Sequence, residues 1–333
     1  MKLRIFLAVC LTVLALATFA GVWFHGALWG SRSTRQVEIE VSAGSTAREV
    51  LAGLRNDGLL PSELAGRLYL RGWAQGRSFR YGRYLFTPGS RPVDVIETIL
   101  DGRVEMFELT IVEGSEAEDI GRQFTSLGVG SLENWRALID NSGWIVDIAP
   151  EAQSLEGFLF PDTYRFAVGI PVERVARHLV ERFKEVWSEE ERDVAAPWGS
   201  VFEVVTLASL VEAETSIDAE RARIAGVFVN RLRRGMLLQC DPTVVYALKK
   251  RNEWRGRLLR IHWEIDHPYN TYRYPGLPPG PINSPGRAAL KAALLPESTP
   301  YLYFVAQPGG GHAFSRTLTE HNRAVARLRQ AGR

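Results

Sequence analysis

The feature that most constrains this 333-residue chain lies at its start. From Ile5 to Phe24 the stretch IFLAVCLTVLALATFAGVWF holds no charged side chain, and the weakly polar HGALWG continues it towards Arg32. A helix needs ~20 apolar residues to cross about 30 Å of hydrocarbon, so a single membrane-spanning helix is expected here. Trp23, Phe24 and Trp29 gather at its far end, where aromatic rings suit the boundary between lipid and water. Lys2 and Arg4 precede the span, whereas Arg32 and Arg35 follow it, so the charge bias is small. It is read as N-terminus inside and bulk of the chain outside. A cleaved signal peptide is the rival reading, because Thr18-Phe19-Ala20 precedes Gly21. The apolar stretch exceeds the usual core of about 7–15 residues, which favours an uncleaved anchor.

Beyond the anchor the chain reads as globular. With 46% hydrophobic and 23% charged residues it is neither disordered throughout nor a multi-spanning membrane protein. Two cysteines, Cys10 and Cys240, exclude a disulfide scaffold or a Cys-rich zinc module. The net charge is +2, and setting aside Lys2 and Arg4 leaves 38 basic against 38 acidic side chains. That balance argues against a nucleic-acid-binding surface.

After the polar connector from Ser31 to Gln36, one local pattern occurs three times. Val41-Ser42-Ala43-Gly44-Ser45 precedes AREVLAGL, Phe86-Thr87-Pro88-Gly89-Ser90 precedes PVDVIETIL, and Ile111-Val112-Glu113-Gly114-Ser115 precedes AEDIGRQF. Each predicts a strand, a glycine turn, and a serine N-cap opening an amphipathic helix. VEIEV (37–41) and FELTIV (107–112) alternate in part, as half-buried strands do. The order fits an ordinary small α+β module or a LysM-like glycan-binding unit. From Ser131 to Gly199 the pattern is mainly helical, with VERVARHLVERFKEVW (172–187) its clearest amphipathic stretch. The segment LEGFLFPDTY (155–164) is too irregular for one helix, and Tyr269 to Pro285 is a long Pro/Gly/Tyr loop of the length usually reserved for function.

Candidate chemistry centres on VFEVVTLASLVEA (201–213), apolar nearly all round like a core helix. Glu212 closes that run. In apolar surroundings its carboxyl would be held protonated near neutral pH, as a general acid requires. The alternative is that Glu212 caps the helix or pairs with an arginine near its end. Glu214, about 200° further round, faces elsewhere. Thr215-Ser216-Ile217-Asp218 resembles a capping box before a helix bearing Ile224, Phe228 and Leu232 on one face, with Gly235 as its stop. Its arginines, Arg221, Arg223, Arg231, Arg233 and Arg234, read as a solvated face or as one contact to a substrate carboxylate. Gln239, Asp241 and Thr243 form a polar turn or a site. Tyr269, Tyr272 and Tyr274 stack on sugar rings or pack. Gly309-Gly310-Gly311-His312 reads as a hairpin turn between YLYFVA and AFSRT. No phosphate loop, nucleophile elbow or metal-ligand spacing is present, and His262 and His267 form no recognisable metal pair.

Taken in order, VEAET, NRLRRGMLLQCDPTVVYAL, YNTYRYPGLPPGPINSPG and YLYFVAQPGGGHAFSRTLTEHNRAV resemble the endolytic murein transglycosylase (YceG-like) family. LEGFLFPDTY matches too, and the resemblance covers residues 37 to 327. It implies an α+β protein with an N-terminal transmembrane helix, a LysM-like α+β subdomain and a mixed α/β catalytic domain. The boundaries expected are 1–30, 31–125 and 126–333. It implies a lyase, a lytic transglycosylase that cuts the MurNAc-β-1,4-GlcNAc bond of nascent glycan strands, forms 1,6-anhydro-MurNAc and limits strand length. The bacterial inner membrane, with the enzyme outside the cytoplasm and peptidoglycan synthases (penicillin-binding proteins) as neighbours, is the implied setting. No metal, organic cofactor or nucleic acid is expected.

The first Glu of the family's V-E-x-E-T motif falls on Glu212, implied as catalytic. Gln239, Asp241, Thr243, Tyr269, Asn270, Thr271 and Tyr272 are implied to bind substrate. Two departures stand out: Cys240 where a small hydroxylated residue is common, and His267 before PYNTY where Ser or Thr is usual. The alternatives are a hydrolytic muramidase using Asp241 as a second carboxylate, and a non-catalytic, membrane-tethered glycan-binding scaffold.

Overall fold

The structure is a computed structural model describing residues 2–30, 32–191, 198–307 and 309–331. Ser31 and residues 192–197, which belong to the expected connector and helical region, lie outside the described residues. The architecture is mixed α+β, as expected. Helix α1 (Lys2–His25) ends in a π-helical turn, Gly26–Gly30. Then come β1 (Val37–Val41), α2 (Ala47–Asn56), α3 (Glu63–Gly72), β2 (Gly82–Phe86), α4 (Pro92–Asp101), β3 (Met106–Thr110), α5 (Ala117–Ser126) and α6 (Leu132–Ile139). They are followed by β4 (Thr163–Ala167), α7 (Val172–Glu191), α8 (Val201–Glu214), α9 (Asp218–Arg233), α10 (Asp241–Lys250) and α11 (Arg287–Leu294). The hairpin β5 (Tyr303–Ala306) and β6 (His312–Ser315) precedes α12 (Leu318–Ala331).

The chain divides into two compact units: Met1–Glu108 with Arg165–Pro171, and Leu109–Tyr164 with Val172–Arg333. The dividing lines fall inside β3 and β4, which pair as a two-stranded ribbon. In the smaller unit β1 and β2 pair antiparallel, Val37 opposite Phe86 and Val41 opposite Gly82. The period-two pattern of VEIEV turns Val37, Ile39 and Val41 inward onto Leu51, Leu54, Ile96 and Ile99. Among the described residues α1 is the one helix long and apolar enough to span a membrane. Phe24 at its end stacks on Trp73 at 5.5 Å, and Trp29 meets Tyr69 edge-on at 6.1 Å.

The threefold local pattern is real, but its serines do something other than expected. Gly44, Gly89 and Gly114 adopt φ of 88°, 94° and 79°, a left-handed turn that a Cβ would strain. The N-caps are Thr46, Arg91 and Glu116, one residue beyond each serine. Ser90 and Ser115 donate their hydroxyls to Thr87 O and Val112 O instead, closing the turn itself. The expected capping box at 215–218 is also corrected. Ile217 is the N-cap of α9 without a side-chain bond, and the Thr215 hydroxyl accepts from Ile217 N.

In the larger unit α8 is the central helix. Its residues from Val204 to Val211 are all buried, as its all-round apolar sequence demands. Ser200 opens it in a true capping box with Glu203. Ser209, fully buried on this helix, accepts from Ile282 N, while Ser209 O accepts from the Asn283 amide. These bonds run the 280–286 loop along the helix towards its C-terminal carboxylates.

Candidate active site

Two carboxylates end α8, and the helical rotation between them sends them into different environments. Glu212 is closed in by donors: Oε1 accepts from Arg221 Nη1 at 2.9 Å and Oε2 from Gly286 N at 2.9 Å. Both partners of this ion pair are almost wholly buried, and Arg221 also reaches Asp218 at 3.0 Å. The apolar enclosure expected around Glu212 is thus an ion pair, the alternative weighed for it from sequence. Arg221 does not belong to a solvated face. Arg231 does not either, since its guanidinium serves Leu302 O and Leu238 O from a buried position.

Gly286 has φ of −75°, which any residue tolerates, so its backbone does not require glycine. A Cβ there would meet the Glu113 carboxyl at 1.8 Å. The glycine lets Glu113 approach the Gly286 backbone, whose N–H holds Glu212. Burial and the neighbouring Glu212 push the Glu113 carboxyl up. The turn bearing Glu113 is itself pinned by Gly114 N to Ser284 O and Ser284 N to Ser115 O.

Glu214 faces a different set of groups: the Cys240 thiol, Asp241, His312 and Arg231. Burial is the main force raising its carboxyl above the ordinary range, and the Asp241 charge adds to it, against the Cys240 thiol, His312 and Arg231. Burial likewise drives the Cys240 thiol well up, so it is a neutral S–H neighbour. This is the environment sequence reasoning assigned to Glu212. Helical rotation separates Glu214 from Glu212 but does not by itself say what each meets. The signal available was its place at the helix end, opposite the polar turn at 239–243.

That turn opens α10. Gln239 takes a left-handed φ of 51°, and Cys240 N donates to Thr271 Oγ1. Asp241, at the first helical position, accepts from Tyr272 OH at 2.6 Å and Trp263 Nε1 at 3.0 Å. Trp263 and Tyr272 stack at 5.1 Å, nearly parallel. Flat aromatic faces beside a fixed carboxylate suit a sugar, whose C–H face stacks while its hydroxyls donate.

The remaining residues implied from sequence separate into two kinds. Thr243, Asn270 and Thr271 are fully buried. Thr243 and Thr271 share a hydroxyl bond at 2.9 Å, and the Asn270 amide serves Trp263 O and Ile265 O. They hold the loop that presents Tyr272 and Trp263. Tyr269 meets Tyr246 at 4.9 Å with its ring tilted by 46°, and lines a separate cavity of about 350 Å³ with Phe202, Lys250 and His267. Burial lowers the His267 imidazole and raises the Tyr269 phenol to about 12. The glycine hairpin forms as expected, and it delivers His312, whose Nδ1 lies 2.7 Å from Glu220 Oε2. Among the described residues no group of three or more His, Cys, Asp or Glu side chains could hold a metal ion.

Residues 39–327 match the model of the YceG-like family. The chain belongs to that family. The endolytic murein transglycosylase of Bacillus subtilis (strain 168) is 32% identical over 308 residues, 88% of this chain and 84% of the relative. That of Streptococcus pneumoniae serotype 2 is 27% identical over 325 residues, 89% of this chain. This chain spans 59% of that longer relative. A crystal structure of a yceG-like protein from Listeria monocytogenes superposes with a TM-score of 0.57 at 29% identity, over 87% of this chain and 99% of that one. The expectation of a YceG-like α+β fold is met.

Proposed function

We propose that this protein is a lytic transglycosylase that cuts peptidoglycan glycan strands internally, with Glu214 as the proton donor. The carrying observation is the Glu214 carboxyl, raised by burial and by Asp241 beside the Trp263–Tyr272 platform. The activity printed for the curated relatives supports the reaction class. Protonated Glu214 gives its proton to the oxygen of the MurNAc-β-1,4-GlcNAc bond as the C1–O bond breaks. The carboxylate then takes the proton of the muramyl C6 hydroxyl while O6 closes on C1. One group serves as acid and then base, and no water is consumed. Asp241 keeps the next proton on Glu214 by repulsion and fixes the aromatic platform. Glu212 was the donor implied from sequence. Its two donor contacts support a positioning role, tying α8 to α9 and to the start of α11.

The order of short strands and helices in the smaller unit supports a LysM-like glycan-binding module, and α1 a single-pass anchor in the cytoplasmic membrane with the larger unit outside. Enzymes that polymerise glycan at that membrane are the fitting neighbours. Digestion of uncross-linked nascent glycan, read for chain length and end group together, tests the proposal. Wild type yields shortened strands with 1,6-anhydro ends. Glu214→Gln loses about 10²–10⁴-fold in rate, while Glu212→Gln keeps a larger share of the rate but loses stability. Reducing ends would overturn the transglycosylase reading in favour of hydrolysis with Asp241 as partner. An unaffected Glu214→Gln enzyme would overturn the assignment of the acid, and an unaltered cell phenotype would favour the scaffold.

A further inference from the structure

Helix α3 has two faces. Ala65, Gly66 and Tyr69 are buried in the smaller unit, as the amphipathic pattern of ELAGRLYLRG requires. On the outer face Leu64 and Leu68, one helical turn apart, remain 58% and 45% exposed, and Trp73 just past the helix is 66% exposed. Large apolar side chains at i and i+4 on a solvent face need a partner or a reason. Arg67 and Arg71 share that face and both are exposed, Arg67 also pairing with Glu63 one turn back at 2.9 Å. Leucine and tryptophan between arginines is the composition of a helix lying in a membrane interface, apolar groups down and guanidinium groups up at the phosphates.

A second observation bears on what covers this face. Trp73 stacks at 5.5 Å on Phe24, which sits in the last turn of the apolar α1, and Tyr69 stacks on Trp73 at 6.0 Å and meets Trp29 edge-on at 6.1 Å. The outer face of α3 is therefore continuous with the level at which α1 leaves the hydrocarbon. A protein partner would have to compete with a bilayer already in place beside Trp73. We infer that Leu64, Leu68 and Trp73 rest in the headgroup–acyl boundary, with Arg67 and Arg71 on anionic phosphates, so that the smaller unit lies on the membrane rather than swinging free on its anchor. This rests on α1 being a membrane span. It does not depend on the reaction catalysed.

The test uses the full chain in vesicles of phosphatidylethanolamine and phosphatidylglycerol, with a fluorophore on a single introduced cysteine in a Cys10→Ala background. Buried Cys240 is left in place and checked to be unlabelled. Labels go to Leu14→Cys, Leu68→Cys and Leu64→Cys, and acyl-chain bromine and aqueous iodide are the quenchers. Expected is that labels at 64 and 68 lose fluorescence to bromolipid, as the one at 14 does, and are shielded from iodide. Loss at 14 with none at 64 and 68, and full iodide access there, would overturn the proposal. No loss at 14 would refute the anchor itself. As a second arm, Arg67→Glu combined with Arg71→Glu should abolish any deepening of the label at 68 produced by raising the phosphatidylglycerol fraction. An unchanged response would show that the arginines do not meet the lipid.

Discussion

Glu156, in the LEGFLFPDTY segment, makes stability depend on pH in a way that one substitution should remove. Its side chain is buried, Oε1 accepting from Ala117 N at 2.9 Å and Oε2 from Tyr246 OH at 3.1 Å. Those two bonds favour the anion, and Lys250 helps, but desolvation outweighs them and Glu116 adds repulsion. The carboxyl is pushed from 4.5 up to about 7. Above pH 7 both folded and unfolded chains carry the charge, and the folded one bears the cost of burying it. Below 4.5 neither does. Stability from this group is therefore fully present in acid and lost as pH rises from 4.5 through 7, by about 3 kcal/mol in total, or about 2–3 kcal/mol between pH 5 and pH 8.

Glu156→Gln keeps the shape and stays neutral. Its amide oxygen can accept from Ala117 N, while its NH₂ must turn the Tyr246 hydroxyl round, at a cost of about 1 kcal/mol. The variant should be equal to or slightly less stable than wild type at pH 5, and more stable by about 1–2 kcal/mol at pH 8. Urea unfolding of the full chain in detergent, followed by tryptophan fluorescence at both pH values, measures this. Every other titrating group is common to both proteins, so only the difference between them is read. If the two midpoints move in parallel from pH 5 to 8, the buried charge is not what the geometry makes it.

Other perturbations follow from single contacts. Arg221→Met strips Glu212 of its buried cation and should cost about 3–5 kcal/mol; adding Glu212→Leu should recover part of that, a coupling that a double-mutant cycle in urea would reveal. Gly226→Ala places a Cβ 2.3 Å from Glu297 O and 2.9 Å from Thr299 Cγ2, with backbone on one side, so a loss of about 1–3 kcal/mol is expected by thermal or chemical melting. Trp263→Ala removes both the stack on Tyr272 and the bond to Asp241. Steady-state assays on glycan strands should show a KM raised about tenfold, with kcat much less affected.

What could be read from sequence followed the range over which each force acts. Strand alternation, the apolar α8, the amphipathic α7 and the glycine turns depend on neighbours in sequence, and each appears where its pattern lies. The serine caps at 90 and 115 failed because two local bonds compete for one hydroxyl: closing the turn satisfied a carbonyl three residues back, leaving the cap to the next residue. Arg221 and Arg231 failed for the opposite reason. Glu212 and Leu302 O are reached only after α9 has packed, and Leu238 O only once the chain has turned at Gly235, so no residue pattern marks two of five arginines as interior.

The carboxylates at the end of α8 show how far rotation alone can be pressed. It correctly separates Glu212 from Glu214, since residues two apart leave a helix in different directions. It does not say which direction leads to a cation and which to a thiol and another carboxylate. Arg221 arrives from α9, three residues into a helix that begins only at Asp218. Cys240 caps α10 and Asp241 begins it, the turn being fixed by Thr271. Had these two neighbourhoods been exchanged, Glu212 would carry the raised carboxyl and Glu214 the ion pair, with no change in α8 itself. On the proposed assignment the helices that follow α8 select the proton donor, and moving the neighbours tests it most directly: Asp241→Asn should lower the pH at which Glu214 gives up its proton, drawing the alkaline limb of the activity profile towards acid. A profile unchanged by Asp241→Asn, yet shifted by Arg221→Lys, would assign the acid to Glu212 instead.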